Sequence, residues 1–337
     1  MAPNEFVPDE DLRALGLDPA AVVAVELIHE RHGNRLYRVR LDERRGPGPG
    51  GARTYVLKWF GEPVTGESGL AEPGPAEPGP AEPGPAEPGP AAEIHAYELL
   101  RHLGIPTLPV HGLSPRAILL EDLDASPVWR RATEEDVLDA ATGVAVAQWY
   151  RAFHAAGRRV VTDPAGPPGF LKREVDELNP EVIRDMGRRL GLPDLPVWRL
   201  AAYHIETFKA AMRALPETLN YNDFYWTNLA LARPGRPPAA IIYDYHLVGI
   251  GLPYSDCRNV AGSLGEPAGS AFWEAYGPVD ERQRLLDEPT STLYSLLAAM
   301  RLPRFPRWGE SSLEEARSGR LGLSIRLALE ALGEIGQ

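Results

Sequence analysis

The sequence is poor in cysteine, in long apolar runs and, relative to its acidic residues, in basic ones. Its one cysteine, Cys257, excludes an intrachain disulfide and a zinc site built from cysteines, which fits a reducing compartment. The amino terminus is acidic and broken by prolines, so it lacks the basic start and apolar core of a secretory signal. No run approaches the ~20 apolar residues of a membrane-spanning helix. We therefore expect a cytoplasmic protein with no membrane partner.

The charge balance indicates which kinds of partner the protein can bind. The 337 residues include 35 Lys and Arg against 47 Asp and Glu, a formal net charge of -12 at pH 7. Nucleic-acid binding relies on clustered Lys and Arg that neutralise phosphates, so we expect no nucleic-acid partner. A cationic small molecule would be attracted instead. The content of 44% hydrophobic residues is ordinary for a folded protein, and both a monomer and a homodimer are compatible with it.

Four identical copies of the pentapeptide AEPGP occupy residues 71–90. They contain eight prolines and four glycines, which remove backbone donors and leave no apolar face to bury. The composition therefore argues against a helix or a strand. We predict that residues 62–91 form a disordered loop that acts as a spacer and has no catalytic role.

Hydrophobic periodicity divides the chain into a β-rich first part and a helical second part. Period-two alternation and apolar runs predict strands at 21–30, 35–41, 54–60 and 117–124. Helical spacing predicts helices at 91–104, 134–157, about 195–215 and 311–336. The expected protein is α+β, with a small antiparallel sheet and one helix in an N-lobe of residues 1–123. A larger, mainly helical C-lobe would follow over residues 124–337.

The stretch LNYNDFYWTNLALARPGRPPAAIIYDYH contains Asp223, then Asn228, then Asp244 at the end of an apolar run. Turn chemistry could explain each residue alone, because Asp and Asn are favoured where a chain reverses. Together they are the groups that phosphoryl transfer uses. Such a reaction needs a carboxylate beside the acceptor hydroxyl and oxygen ligands for Mg²⁺. A lysine for the phosphates is available at Lys58, within the predicted strand TYVLKWF.

The loop NYNDFYWTNLAL resembles the catalytic loop of the aminoglycoside phosphotransferase and choline kinase-like family, which reads His-Gly-Asp, four variable residues and Asn. The segment IIYDYHLVGIGLPYSD resembles that family's magnesium-binding strand end, followed by a Gly-x-Pro-x-x-Asp element at Gly251, Pro253 and Asp256. Upstream, YVLKWF, EIHAYELL, AILLEDL and YRAFHAAG match in the family's order. The resemblance covers residues 30–265 and implies a two-lobed protein kinase-like fold.

The resemblance also implies a role for each matching residue. Asp223 would accept the proton of the attacking hydroxyl, and Asn228 and Asp244 would bind Mg²⁺. Lys58 would hold the α- and β-phosphates of ATP while pairing with Glu93, although Glu93 could instead only favour the start of its helix. The remaining nucleotide contacts would come from the turn at Gly33 and Asn34 and from the backbone of Glu121, Asp122 and Leu123.

Two residues depart from the family's pattern. Tyr221 and Asn222 stand where the family has His and Gly. If the Gly position has a positive φ, Asn is the residue that tolerates it best after Gly. Further along, we interpret Asp256 as a helix cap that also braces the catalytic loop from beneath. His154, within an apolar helix, is interpreted as a core histidine.

The family resemblance implies a kinase that uses ATP, or GTP, with Mg²⁺ to phosphorylate a hydroxyl of a small molecule. An antibiotic of the aminoglycoside or nucleoside type is the leading substrate, with resistance as the result. Two alternatives stay open: a kinase of an ordinary metabolite such as a sugar, a choline-like alcohol or an amino alcohol, and a pseudokinase that binds nucleotide without transfer. Four late acidic residues could attract an amino-substituted substrate or simply form a solvated surface: Glu266, Glu274, Asp280 and Glu281.

Overall fold

The structure, a computed structural model, describes residues 7–31, 34–42, 54–60 and 90–333. Gly33 and the AEPGP repeats up to residue 89 lie outside these residues, as does most of the predicted loop. The chain separates into two compact units. The first comprises residues 1–133 with 227–246, and the second comprises residues 134–226 with 247–337.

A five-stranded antiparallel sheet forms the centre of the first unit. Its strands are β1 (Val22–Arg31), β2 (Asn34–Leu41), β3 (Thr54–Trp59), β4 (Val110–Ser114) and β5 (Ala117–Glu121), in the order β1-β2-β3-β5-β4. Because side chains alternate along a strand, Tyr37 and Val39 of β2 and Leu57 of β3 enter one core. Helix α1 (Asp9–Ala14) adds Leu12 to it. The residues that alternate with these, including Lys58, point to the other face.

Helix α2 (Pro90–His102) supplies Glu93, which contacts Lys58 on this other face. It begins at Pro90, and proline is tolerated in a first helical turn because its missing N–H would have no partner there. The helix therefore includes residues 90 and 91, the last two of the predicted loop. Ile94, Ala96, Tyr97 and Leu100 are its buried apolar residues.

A second, smaller sheet also belongs to the first unit. It consists of β6 (Trp129–Arg131), β8 (Leu229–Ala232) and β9 (Ala240–Ile242), in the order β6-β8-β9. These strands bring residues 124–133 and 227–246 into the first unit, whereas the sequence predicted a boundary at residue 123 with everything later in the C-lobe. The pairing of β6 with β8 joins segments far apart in the chain, so local periodicity does not indicate it.

The second unit is mainly helical. Its helices are α3 (Ala140–Val161), α4 (Pro180–Arg189), α5 (Pro196–Arg213), α6 (Pro253–Ser263), α7 (Ala268–Tyr276), α8 (Glu281–Ala299), α9 (Arg307–Arg317) and α10 (Arg320–Leu332). One core joins Ile183 of α4, Phe208 of α5, Leu293 of α8 and Ile325 of α10, all fully buried. Two short strands, β7 (Thr218–Asn220) and β10 (Gly249–Gly251), pair antiparallel.

Two of the predicted helices differ from the structure by more than a few residues. The helix predicted at 311–336 is two helices, α9 and α10, because Gly319 between them has φ +83, a left-handed conformation that cannot continue an α-helix. The helix predicted from residue 134 begins at Ala140. The Asp139 side chain accepts a hydrogen bond from the Ala141 amide at 3.1 Å and so caps this start. Within the described part of the chain, every helix is too short or too polar to span a bilayer.

Candidate active site

Lys58, on β3, lies between two carboxylates of the first unit. Its Nζ is 2.6 Å from Glu93 Oε2 on α2 and 2.7 Å from Asp244 Oδ1, just after β9. The Lys58 side chain is 16% exposed and that of Glu93 is 3% exposed. Burial lowers the pKa of Lys58, but the two carboxylates outweigh this effect and raise it. Lys58 is therefore a fixed positive charge, and the predicted pairing with Glu93 is present.

This cluster holds more negative than positive charge. Burial raises the pKa of Glu93, while the ammonium of Lys58 opposes that effect. Among the described residues, no donor bonds to the buried Glu93 Oε1. One ammonium is thus shared by two carboxylates. A divalent cation bound at Asp244 would relieve the excess negative charge. Lys58 could then pair with Glu93 and with an incoming anion.

Asp244 has both an unusual backbone and a stabilised charge. Its φ of +68 is rare for a residue other than glycine, although Asp tolerates it better than most. His246 Nδ1 lies 3.0 Å from Asp244 Oδ1. Burial raises the pKa of Asp244, but the hydrogen bond with His246 and the charge of Lys58 hold it well below its usual value. Asp244 is therefore ionised at neutral pH and ready to bind a cation without losing a proton.

The β8–β9 pair brings Asn228 and Asp244 to the same end of the small sheet. Asn228 directly precedes β8, and its carbonyl accepts a hydrogen bond from the Tyr243 amide at 3.0 Å. Leu229 lies opposite Ile242 in the register, so the two predicted metal ligands flank neighbouring strand ends. An amide oxygen and a carboxylate are hard ligands of the kind that Mg²⁺ prefers. The residues at this end of the sheet fit a magnesium ion.

The segment predicted to contact adenine begins where β5 ends, at Glu121. The buried Asp122 side chain accepts a hydrogen bond from Arg38 Nε at 2.8 Å, and the Leu123 carbonyl accepts one from Arg233 Nη2 at 3.1 Å. These contacts hold the backbone of 121–123 in place. Adenine binding by this backbone stays a prediction.

The predicted phosphate-covering turn lies between β1 and β2. Asn34 is the exposed first residue of β2 and pairs across the hairpin with Arg31. Gly33, its predicted partner in the turn, falls outside the described residues. The role of both residues at the phosphates stays a prediction.

Asp223 belongs to the second unit, in the loop that follows β7. The preceding Asn222 has φ +67, which confirms the left-handed conformation expected where the family has glycine. Its side-chain Nδ2 also donates to the Leu247 carbonyl at 3.1 Å, a bond that glycine could not make. Tyr221 is fully buried. Asn222 therefore both permits and anchors the conformation that precedes Asp223.

Asp256 braces this loop from α6, as predicted. The fully buried carboxylate accepts hydrogen bonds from the Tyr221 amide at 2.8 Å and the Asn222 amide at 3.0 Å. The interpretation of Asp256 as a helix cap is wrong. Leu252 is the N-cap of α6, and Asp256 lies in the first turn with its side chain directed to the loop.

His154 is a buried part of the support beneath this loop. Its Nε2 lies 3.1 Å from Asp256 Oδ2, and its Nδ1 lies 2.8 Å from the Tyr276 hydroxyl. Both ring nitrogens are thus used by protein groups, and the side chain is 2% exposed. The interpretation of His154 as a core histidine is confirmed.

His246 lies at the site and is also open to solvent. The side chain is 40% exposed and still contacts Asp244. The signal in the sequence was only its place two residues after Asp244. That spacing alone cannot show a contact, because the left-handed turn at Asp244 decides which way the chain leaves β9.

Comparison with solved structures places these elements in a known fold. The chain is similar to a choline/ethanolamine kinase family protein from Mesorhizobium loti, with 14% identity, a TM-score of 0.56 and coverage of 97% of this chain and 99% of that chain. It is similar to the macrolide 2'-phosphotransferase MphH from Brachybacterium faecium, with 15% identity, a TM-score of 0.51 and coverage of 92% and 98%. It is also similar to the ADP-bound aminoglycoside phosphotransferase APH(2'')-Ib, with 12% identity, a TM-score of 0.52 and coverage of 91% and 95%.

Likeness over nearly the whole of both chains shows that this protein has the kinase-like fold of these phosphotransferases, and the predicted α+β fold class is confirmed. No protein-family model matches the chain, and no curated protein matches its sequence.

Proposed function

We propose that this protein is a phosphotransferase that uses ATP and Mg²⁺ to phosphorylate a hydroxyl group of a small molecule. The observation that carries the proposal is the cluster of Lys58, Glu93 and Asp244 in the first unit. A lysine held between two carboxylates, one of them at a strand end beside Asn228, is an arrangement suited to phosphates and a metal ion. The similar structures include an ADP-bound phosphotransferase, which supports nucleotide use.

Each of the candidate site residues has a role in the proposed reaction. Lys58 neutralises the phosphates of the nucleotide, and Glu93 keeps its ammonium in place. Asn228 and Asp244 would hold the metal, which would supply charge neutralisation at the phosphates. Asp223 accepts a hydrogen bond from the acceptor hydroxyl and takes its proton as the phosphoryl group transfers. The chain positions the reactants and stabilises charge, which is most of what this chemistry requires.

Within this activity we propose an antibiotic as the acceptor, which phosphorylation would inactivate by adding ~1.5 to 2 negative charges. The similar proteins named for aminoglycosides and macrolides support this class. The one named for choline and ethanolamine supports the second candidate, a kinase of an ordinary metabolite, equally well. A pseudokinase is disfavoured by the presence of all four groups: Lys58, Asp223, Asn228 and Asp244.

The test is a mass-spectrometric screen for the gain of one phosphoryl group. The protein is incubated with MgATP and with aminoglycosides, nucleoside antibiotics, macrolides, sugars and simple amino alcohols, with parallel reactions that contain EDTA. We expect one class to gain a phosphoryl group only when Mg²⁺ is present. If no acceptor gains one, and ATP is not slowly hydrolysed either, the phosphotransferase proposal is wrong.

The Glu93→Gln variant should weaken the binding of ADP in the presence of Mg²⁺ by roughly 10- to 100-fold. Without the Glu93 charge, Lys58 keeps Asp244 as its anionic partner and competes with the metal for it. A hydrogen bond to a charged group is worth ~1.5–3 kcal/mol, which sets the size of the effect. Isothermal titration calorimetry with and without Mg²⁺ measures it. Glu98→Gln, exposed on the same helix, is the matched control and should bind ADP as the wild type does.

A further inference from the structure

His246 follows Asp244 by two residues and contacts it through its side chain. Its Nδ1 lies 3.0 Å from Asp244 Oδ1, and the two side chains are 40% and 33% exposed. The family resemblance implies Asn228 and Asp244 as metal ligands and gives His246 no role. Imidazole is the commonest metal ligand among side chains, so this contact places a nitrogen donor against one of the proposed oxygen ligands.

The position of His246 is fixed by the residue before it. Tyr245 is 1% exposed, and its ring centroid lies 4.7 Å from that of Tyr97 on α2 in an edge-to-face contact. The Tyr245 hydroxyl donates a hydrogen bond to the carbonyl of Ile242, the last residue of β9. Because Asp244 has a left-handed conformation and Tyr245 is anchored in the core, the chain returns His246 to the Asp244 carboxylate.

The distance between His246 and Asp244 suits two ligands of one ion as well as it suits a hydrogen bond. Two ligand atoms at right angles, each ~2.1 Å from an octahedrally coordinated ion, lie ~3.0 Å apart. In the tautomer that carries its proton on Nε2, the imidazole has a lone pair at Nδ1. Binding of one ion by both atoms would therefore need only small movements of the two side chains.

The charge around this contact favours a cation. Lys58 is shared by Glu93 and Asp244, so with both carboxylates ionised these three groups carry one net negative charge. A neutral imidazole adds a ligand atom to this cluster without adding charge. What it changes is the kind of ion that fits, because Mg²⁺ demands hard oxygen ligands, whereas first-row transition metals also accept imidazole nitrogen.

We propose that His246 is a third ligand of the ion that accompanies the nucleotide, and that it shifts the preference of the site from Mg²⁺ toward a divalent transition metal such as Mn²⁺. The inference rests on the proposed function, because the ion is the one that would neutralise the phosphates. It adds a nitrogen donor to the oxygen ligands Asn228 and Asp244 and so departs from the ligand set that the family resemblance implies.

Metal affinities separate this role from that of a positioning residue. A His246 that only donates a hydrogen bond to Asp244 would affect Mn²⁺ and Mg²⁺ equally. With His246 as a ligand, His246→Gln should weaken Mn²⁺ binding by ~10-fold or more, at least the loss seen for groups that only orient a ligand, and Mg²⁺ binding by a smaller factor. Calorimetric titration of the full chain saturated with ADP measures both, and an equal loss for the two ions would overturn the proposal.

Pulsed electron paramagnetic resonance tests the bond itself. The full chain, labelled with ¹⁵N at its 8 histidines, is loaded with Mn²⁺ and unlabelled ADP. A coordinated imidazole gives a ¹⁵N coupling that the adenine of ADP cannot give, and the phosphates give a ³¹P coupling. We expect both couplings in the wild type and only the ³¹P coupling in His246→Gln. His102→Gln, exposed at the end of α2, is the matched control and should keep both.

The two couplings distinguish failure of this inference from failure of the proposed function. A ³¹P coupling without a ¹⁵N coupling in the wild type overturns the role of His246 and leaves the nucleotide and metal site standing. A ¹⁵N coupling that survives in His246→Gln also overturns it, because another histidine is then the ligand. A ¹⁵N coupling without ³¹P keeps His246 as a ligand and contradicts the proposed function, and the absence of both contradicts both. The wild-type spectra do not depend on the folding of any variant, which a thermal melt verifies.

Discussion

Replacing Asp223 with Asn is expected to slow phosphoryl transfer by ~10²–10⁴, the usual contribution of a positioned proton acceptor. The amide keeps the size of the side chain, so the loop held by Asp256 should keep its conformation. What it loses is the negative charge that aligns the hydroxyl and receives its proton late in the transfer. The measurement is the single-turnover rate on whichever acceptor the mass-spectrometric screen identifies.

The controls separate chemistry from binding. ADP affinity in Asp223→Asn should stay close to that of the wild type, because Lys58 and Asp244 are unchanged. Asp194→Asn, an exposed carboxylate of the second unit, should transfer at the wild-type rate. An unchanged transfer rate in Asp223→Asn would remove this residue from the mechanism.

Replacing Asp256 with Ala is expected to destabilise the protein by about 3–5 kcal/mol. The carboxylate is fully buried, and its removal leaves the amides of Tyr221 and Asn222 without an acceptor. His154 loses its partner at Nε2 in the same change. Each buried donor left unsatisfied costs ~1–3 kcal/mol, so the losses add to a large fraction of the stability of a typical domain.

Urea unfolding followed by tryptophan fluorescence measures this effect. Asp256→Asn keeps one side-chain acceptor and should lose less stability than the Ala variant. Asp194→Ala removes an exposed carboxylate and should change stability by no more than ~0.5 kcal/mol. If Asp256→Ala unfolds at the wild-type urea concentration, the loop does not depend on this brace.

The loop before Asp223 was predictable because its chemistry is local. Asn tolerates a positive φ better than any residue except Gly, so an Asn where the family has Gly indicates a positive φ. Asn222 has φ +67. Asp244 has the same kind of conformation, yet nothing in its neighbours along the chain indicates it. Its φ depends on how the chain leaves β9 toward His246.

The sequence by itself determined that a β-rich part precedes a mainly helical part, and it determined the kinase-like fold and the residues that resemble a catalytic loop. Period-two and helical patterns depend only on consecutive residues, and motif spacing can be recognised without any knowledge of packing. It also predicted that Lys58 pairs with Glu93, since both matched one family pattern.

Only the tertiary structure decided which distant segments share a sheet and that a second carboxylate, Asp244, joins Glu93 at Lys58. The pairing of β6 with β8 assigns residues 227–246 to the first unit, and the course of the chain after β9 brings Asp244 Oδ1 to 2.7 Å from Lys58 Nζ. The physical reason is the same in both cases. Contacts between segments far apart in the chain, and the burial that shifts the pKa of a charged group, arise from packing and cannot be predicted from neighbouring residues.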